Sequence, residues 1–398
     1  LGCCQSQNLC TNARIRKEMN NKKRVLFIIT RLTIGGAAAY LIQTAKYLEE
    51  HGYECHIMTG SIEEHDLEMI KFHQDYTIKP LYLKELQRAI NPWRDLLAIL
   101  KLRKIIKELQ PDIVHTHTSK AGMIGRITAW LCRVPRIYHT YHGLVFQGHF
   151  GKTLSKVSVF IERLMAIIST KVISISPILT QELLRLRVCK AEKIIDIPLG
   201  FDLIMPAEPK SLRQLYQIPD DKIIVAAIGR FAKVKNHELF IDIAERVCQR
   251  SKGIQFLMIG DGERREELQE LINKRNLQAD IIITGFFNDL YNYYPEVDIN
   301  LLTSLNEGTP VTIIESFFFN ILVLSSAVGG VPDMIRDGYN GFLFDLSDTE
   351  GYVNRILDFA QNREKYQQIL SNGQRVFQEK YTLNVASEKL IKLFESVK

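Results

Sequence analysis

KIIVAAIGRFAKVKNHELFIDIAERVCQ, residues 222–249, is the stretch that decides the fold. Residues 222–228 read as a strand, a continuous apolar run after Lys222 in the pattern of burial on both faces, and residues 237–249 carry their apolar side chains at helical spacing. The same unit has already run once upstream. RVLFIIT (24–30) predicts a buried strand, and residues 37–51 predict a helix with Leu41, Ile42, Ala45 and Leu48 on one face. DIVH (112–115) and RIYH (136–139) predict further strands, and KVISIS (171–176) closes that series. From residue 222 the pattern restarts, with strands expected at 255–259, 280–283, 299–302 and 322–325. Continuous apolar strands alternating with helices imply parallel sheets covered on both faces, so two series imply two doubly wound α/β domains. The join falls near residues 201–211, where Pro206 and Pro209 interrupt the chain.

A chain of 398 residues exceeds what one core ordinarily holds. The expected division is a disordered leader at 1–18, an N-terminal Rossmann-like domain at 19–205, a C-terminal one at 206–380, and a closing helix at 381–398 that packs back towards the N-terminal domain. The leader carries Cys3, Cys4 and Cys10 and no apolar segment of a secretory signal. Met19 reads as the natural start, with a genuine flexible arm as the alternative. The other four cysteines are scattered, which argues for a reducing compartment rather than a disulfide framework. No run reaches the roughly 18 apolar residues of a membrane span. The expected location is cytoplasmic, peripheral to the inner face of the plasma membrane.

The net charge of +6 is uneven. Residues 19–205 hold 26 basic and 17 acidic side chains, whereas residues 206–398 hold 22 and 27. A basic half suggests an anionic partner, and anionic lipid and nucleic acid both fit; solvated helix faces give the same pattern. No nucleic-acid-binding motif accompanies the charge, so no nucleic-acid partner is expected.

In open parallel sheets ligands bind beyond the carboxyl ends of the strands, and each polar cluster here follows a predicted strand. Gly35-Gly36, after the first strand, lets backbone N–H groups approach an anion at a helix N-terminus, although a tight turn explains the pair as well. It is not a G-x-G-x-x-G fingerprint. HTHTSKAG (115–122) and HTYHG (139–143) place His115, His117, His139 and His142 after strands. Metal ligation is one reading, but no carboxylate accompanies them and the chain lacks a D-x-D pair. Hydrogen-bonding and packed histidines are the other reading, and no metal or other cofactor is expected. GRFAKVKN (229–236) sets Arg230 and Lys235 across a loop that opens a helix, a diphosphate clamp or simply solvated cations. NEGTPVTIIESF (306–317) is the most specific cluster. Thr309 and Pro310 read as N-cap and first helical residue, Glu307 and Gly308 lie in the loop before them, and Glu315 sits in a very apolar helix where it needs a partner. A ribose diol or a structural salt bridge would supply one. Gly329-Gly330-Val331-Pro332 reads as turn chemistry.

Taken together and in this order, the Gly-Gly loop, HTYHG, GRFAKVKN, the Gly260-Asp261-Gly262 turn, the Glu307/Glu315 pair, the Gly-Gly-Val-Pro turn and the closing helix resemble glycosyltransferase family 4 from residue 24 onward. They resemble in particular its bacterial capsule, O-antigen and exopolysaccharide branch. The resemblance implies a GT-B fold, two Rossmann-like domains facing a cleft. It also implies retaining transfer from a nucleoside-diphosphate sugar, best matched by UDP, to a glycan or polyprenyl-diphosphate-linked acceptor without a metal. By position it implies that Gly36 approaches the diphosphate, His142 contacts the transferred sugar, Arg230 and Lys235 face the diphosphate, Glu307 lies beside the sugar and Glu315 binds the ribose. His117 and Lys120 are the acceptor-side candidates. Two departures stand out: Ala38-Ala39 replace the family's usual Glu-Arg, and Asn320 replaces a glycine, a residue that tolerates positive φ. A non-catalytic sugar-nucleotide-binding subunit and a sugar-nucleotide epimerase are the alternatives.

Overall fold

The computed structural model describes residues 22–32, 35–60, 78–143 and 152–396. The predicted leader and the proposed start at Met19 lie outside these residues. Contacts divide the chain into two units, the first comprising Leu1–Ile175, Thr180–Ile197 and Ser387–Lys398, the second Ser176–Leu179 and Pro198–Ala386.

The first unit is built on strands β1 (Lys23–Ile28), β2 (Tyr53–Thr59), β3 (Leu81–Tyr82), β4 (Ile113–His117), β5 (Arg136–Tyr141), β6 (Lys171–Ser174) and β7 (Ile194–Asp196). They form one parallel sheet in the order β3-β2-β1-β4-β5-β6-β7. Val25–Ile28 of β1 are wholly buried, because a central parallel strand is covered on both faces. Three strands escape the sequence pattern. In β2 the apolar run is broken by the partly exposed Glu54 and His56. β3 is two residues long and exposed, and β7, at the opposite edge, is three residues long with only Asp196 exposed. The series therefore does not close at 171–176, since β7 pairs onto β6.

The helices of this unit include α1 (Gly36–Glu50), α2 (Pro92–Leu109), α3 (Ser119–Leu131) and α4 (Lys152–Ile168). α2 starts at Asn91, whose side chain accepts from the Arg94 N–H at 3.1 Å, with Pro92 as the first helical residue.

The second unit holds β8 (Ile223–Ile228), β9 (Ile254–Ile259), β10 (Ile281–Gly285), β11 (Ile299–Leu302), β12 (Leu322–Ser326) and β13 (Phe342–Phe344). These form a parallel sheet in the order β10-β9-β8-β11-β12-β13. Alternate residues of β8 feed two cores: Val225 packs with Phe240, Phe256 and Tyr352, whereas Ile224 and Ala226 pack with Leu257, Tyr294 and Phe319. Two-sided burial explains the unbroken apolar run of this strand. Helix α5 (His237–Arg250) follows β8, and α6 (Val311–Phe319) follows β11.

The main segment of the second unit begins at Pro198, upstream of the boundary expected at 206, and Ser176–Leu179 also belongs to that unit. Phe201 explains the shift: its N–H donates to Tyr381 O at 2.9 Å and its carbonyl accepts from Leu383 N–H at 3.1 Å, both within the second unit. The last helix, α7 (Leu383–Ser396), returns residues from Ser387 onward to the first unit, where Phe394 stacks on Tyr138 with centroids 5.1 Å apart.

Candidate active site

In the second unit the loop after β8 is tied to the loop after β11. Thr303 Oγ1 donates to the carbonyls of Lys235 and Asn236 at 3.2 and 2.9 Å, and Leu305 N–H donates to Val234 O at 2.8 Å. Asn236 takes a left-handed conformation, φ 50°, at the entry to α5. This stitching brings Lys235 Nζ to 2.6 Å from Glu307 Oε1, an oxygen that also accepts from Ser304 Oγ at 2.6 Å. Glu307 is held at 11% side-chain exposure and Lys235 at 27%. The predicted cation and the predicted glutamate thus form one charged pair.

The Gly329-Gly330 turn lies directly against this loop. A Cβ on Gly329 would sit 1.9 Å from Glu307 O, and one on Gly330 would sit 1.9 Å from Gly308 O. Gly330 N–H donates to Glu307 O at 3.0 Å. The glycines therefore serve close backbone approach, which fixes residues 307–308.

Thr309 and Pro310 depart from the expectation of N-cap and first helical residue. Pro310 occupies the cap position with φ −66° and ψ 117°, no side chain caps the helix, and α6 starts at Val311. The extended ψ of Pro310 keeps it out of the helix. Thr309 Oγ1 is consequently buried without a hydrogen-bond partner among the described residues. At the other end Asn320 adopts φ 62°, ψ 41°, so it takes up the left-handed turn that a glycine would make.

Arg230 stands apart from this pair. Its Nε and a terminal nitrogen reach Glu263 Oε2 at 3.1 and 3.0 Å, and both side chains are more than half exposed. An exposed pair of this kind contributes little stability, so the guanidinium exchanges partners at low cost.

Glu315 is buried in α6, and among the described residues it is met by two hydroxyls rather than by a cation. Tyr291 OH donates to Oε1 at 3.0 Å, and Tyr294 OH donates to Oε2. Burial pushes its carboxyl above the ordinary value, and the two hydroxyls act in the opposite direction. Each carboxylate oxygen can accept two hydrogen bonds, so capacity for further hydroxyl donors remains. The tyrosines are not legible in the sequence as partners; the only signal is the aromatic cluster YNYY at 291–294.

In the first unit Gly35 precedes α1, and a Cβ placed there meets no described residue within 4 Å. The four histidines divide into two groups. His115 Nε2 contacts Thr140 Oγ1 at 2.7 Å and His139 Nδ1 contacts Thr116 Oγ1 at 2.9 Å, both within the core. His117 Nδ1 lies 2.8 Å from His142 Nε2. Burial pushes His115 down to about 3 and His142 down to about 4, and holds His117 and His139 well below the ordinary histidine value. At neutral pH the His117–His142 pair is therefore uncharged, one ring donating and the other accepting. The outer nitrogens, His117 Nε2 and His142 Nδ1, have no partner among the described residues. They suit a neutral hydrogen bond to a hydroxyl rather than charge neutralisation of a phosphate. Among the described residues no group of three His, Cys, Asp or Glu side chains is arranged to hold a metal ion.

Lys120, expected on the acceptor side, is instead engaged structurally. Its ammonium lies 2.6 Å from Asp95 in the first turn of α2, both side chains are nearly buried, and it also donates to Ala89 O. Behind His139 and Tyr141 lies a charged group that the sequence does not disclose. Arg126, wholly buried, donates to Glu162 Oε2 at 2.7 Å and to Gly122 O at 2.8 Å, while Tyr141 OH donates to the same Glu162 oxygen at 2.7 Å. It ties α3 and α4 to the end of β5, one residue before His142.

Comparison with known proteins places this geometry. Residues 34–204 match the family model for Glycosyltransferase Family 4, and residues 210–376 match that for Glycosyl transferases group 1. The chain is 28% identical over 296 residues to the UDP-Gal:alpha-D-GlcNAc-diphosphoundecaprenol alpha-1,3-galactosyltransferase of Escherichia coli, covering 73% of this chain and 76% of that one. It is 20% identical over 387 residues to the capsular polysaccharide biosynthesis glycosyltransferase CapM of Staphylococcus aureus, covering 95% and 98%. The crystal structure of Anabaena HepE in complex with UDP and glucose shares the fold at a TM-score of 0.78 and 19% identity, covering 94% of this chain and 100% of that one. Two Rossmann-like parallel-sheet units are the GT-B architecture. With one family model on each half of its sequence, this chain belongs to the GT-B glycosyltransferases of family 4.

Proposed function

We propose that this glycosyltransferase moves a sugar from UDP to a polyprenyl-diphosphate-linked or growing glycan in surface-polysaccharide synthesis, with retention of anomeric configuration and without a metal. The observation that carries the reading is the Lys235–Glu307 pair set beside the start of α6, where the Thr309 hydroxyl is buried and unpartnered among the described residues. A cation, a free hydroxyl and helix N–H groups together suit a diphosphate. The E. coli relative, a UDP-Gal transferase, and the UDP-bound HepE structure support the choice of base, and the relative's lipid-linked acceptor supports the acceptor class.

The anomeric C–O bond breaks as the acceptor oxygen bonds to the same carbon on the same face. Negative charge grows on the departing diphosphate, and its phosphate oxygen takes the acceptor's proton. Lys235 and Arg230 stabilise that charge, the one from a fixed position and the other after leaving Glu263. Glu307, held by Lys235 and Ser304, orients the sugar. Glu315, its carboxylate fixed by two tyrosines, takes the ribose hydroxyls. From the first unit, Gly35-Gly36 offers backbone N–H groups to an anion, and the neutral His142, oriented by His117, bonds a sugar hydroxyl. Among the described residues no helix is long and apolar enough to cross a membrane. Peripheral contact with an anionic cytoplasmic membrane surface belongs to the same reading.

The test is transfer from a panel of UDP-sugars to GlcNAc-diphosphate-polyprenol in excess EDTA. An α-linked product is expected at a rate that added Mg²⁺ or Mn²⁺ leaves unchanged. A β-linked product refutes retention, and activity that EDTA abolishes and a cation restores refutes the metal-free reading.

A further inference from the structure

The first unit buries an ion pair that the transfer chemistry does not use. Arg126 of α3 is wholly buried, and Glu162 of α4 is 5% exposed. The guanidinium donates to Glu162 Oε2 at 2.7 Å and to Gly122 O at 2.8 Å, while its Nη1 has no partner among the described residues. A buried pair with a donor left over is a poor way to hold two helices together, since apolar side chains of similar volume often do it as well or better. The fold alone does not account for the charges.

The group they meet does. Tyr141 OH donates to Glu162 Oε2 at 2.7 Å. Burial, together with the carboxylate beside it, holds that hydroxyl well above its ordinary value, so it stays a donor. A carboxylate gives a phenol a stronger and more directional anchor than a neutral acceptor, and a buried carboxylate in turn needs a cation, which Arg126 supplies. Tyr141 is the last residue of β5 and pairs with Ser174 of β6, while its neighbour Thr140 pairs with His117 of β4. His142 follows directly as the first residue beyond the strand. Its Nε2 lies 2.8 Å from His117 Nδ1, and its ring stands edge-on to Tyr40 with centroids 6.1 Å apart. The guanidinium also borders the middle of β5. A Cβ on Gly122 would sit 2.5 Å from His139 Cε1 and 3.3 Å from Arg126 Nη2, so α3 meets the strand at the closest approach a glycine allows.

We propose that Arg126, Glu162 and Tyr141 are positioning residues for the transfer step: the ion pair anchors the Tyr141 hydroxyl, and the anchor fixes the end of β5 so that His142 stays on His117 with its outer nitrogen free for the donor sugar. The inference rests on the reading of His142 as a sugar contact. It adds a reason for a costly buried charge: a shift of about 1 Å in a group that orients the substrate lowers the rate by about 100-fold.

Arg126→Met/Glu162→Leu separates positioning from folding, because its apolar side chains fill the site. This variant is expected to melt within a few degrees of wild type and to keep the full rise in melting temperature with UDP. Its kcat for transfer from a UDP-sugar to GlcNAc-diphosphate-polyprenol should fall by about 10- to 100-fold, with little change in the KM for the donor. In a His142→Ala protein the same double change should lower kcat by no more than about twofold further, since the residue it acts through is gone. Tyr141→Phe removes one hydroxyl and should lose several-fold in kcat at unchanged KM; it provides the test if the double variant does not fold. A folded variant with kcat within about twofold of wild type overturns the proposal, and so does an equal fractional loss with and without His142. If the wild type transfers nothing, the functional reading fails, and the imidazole proton shared by His117 and His142 decides the positioning by itself. That proton is observed by NMR and identified by its loss in His117→Ala. Its loss in the double variant, or in Tyr141→Phe, supports the proposal, and its retention overturns it.

Discussion

Replacing Lys235 with alanine is expected to lower the transfer rate by about 100- to 1000-fold in a protein that still folds, the scale seen when one preorganised donor to developing negative charge is removed. Two effects of the substitution act together. The leaving diphosphate loses a cation held in place before reaction, and Glu307 loses the ammonium 2.6 Å from Oε1, keeping the Ser304 hydroxyl on that oxygen. Glu307→Ala is expected to fall in the same range, since it removes the group that orients the sugar and frees Lys235 from its fixed position. The double variant should then be little worse than either single one, because residues that act as a unit are not additive. Arg230→Ala is expected to lose transfer as well, whereas Glu263→Ala, which removes only its exposed partner, should leave the rate near wild type. Initial rates of UDP release check all of these variants. A Lys235→Ala or Glu307→Ala enzyme within a fewfold of wild type refutes the role given to that residue.

Glu162→Leu is expected to destabilise the first unit by about 3–5 kcal/mol, because it leaves a guanidinium buried without its carboxylate. Arg126 is wholly buried, and Glu162 is its sole carboxylate partner among the described residues. The Tyr141 hydroxyl loses its acceptor in the same step. A fall of roughly 10 °C in the melting temperature is expected for a unit of this size. Arg126→Met combined with Glu162→Leu should recover much of that loss, since an apolar pair of similar volume often replaces a buried ion pair at small cost. Thermal denaturation of the single and double variants measures it. A single variant that melts within about a degree of wild type would show that water or another group already satisfies Arg126.

β1 and β8 are legible in the sequence because burial on both faces leaves no polar interruption in them, as Val25–Ile28 and residues 223–227 show. Strands at or next to a sheet edge are not. β2 places Glu54 and His56 where one face is partly open, and β13 is three residues long, shorter than any periodicity can reveal. The burial of Glu315 can be read from the apolar residues around it. Its partners cannot, since Tyr291 and Tyr294 arrive from a different loop and no spacing rule links them to residue 315. Lys235 and Glu307 each stand out singly, but their contact depends on Thr303 stitching two loops together. The start of α6 is misplaced by sequence reasoning because a Thr-Pro pair has the composition of a cap, and only ψ decides whether the proline joins the helix.

The central claim is a donor site for a nucleoside diphosphate that works without a metal, and the most direct measurement is the melting temperature of the full chain with UDP, GDP and ADP, each with and without EDTA. UDP at about a hundredfold excess over its Kd is expected to raise the melting temperature by about 5 °C. EDTA should leave that rise unchanged, and GDP and ADP should produce much less. A rise with GDP or ADP alone would change the base, and a rise that EDTA removes would put a metal in the site. No rise with any of the three would contradict the donor site itself and bring forward a subunit that turns nothing over without a partner.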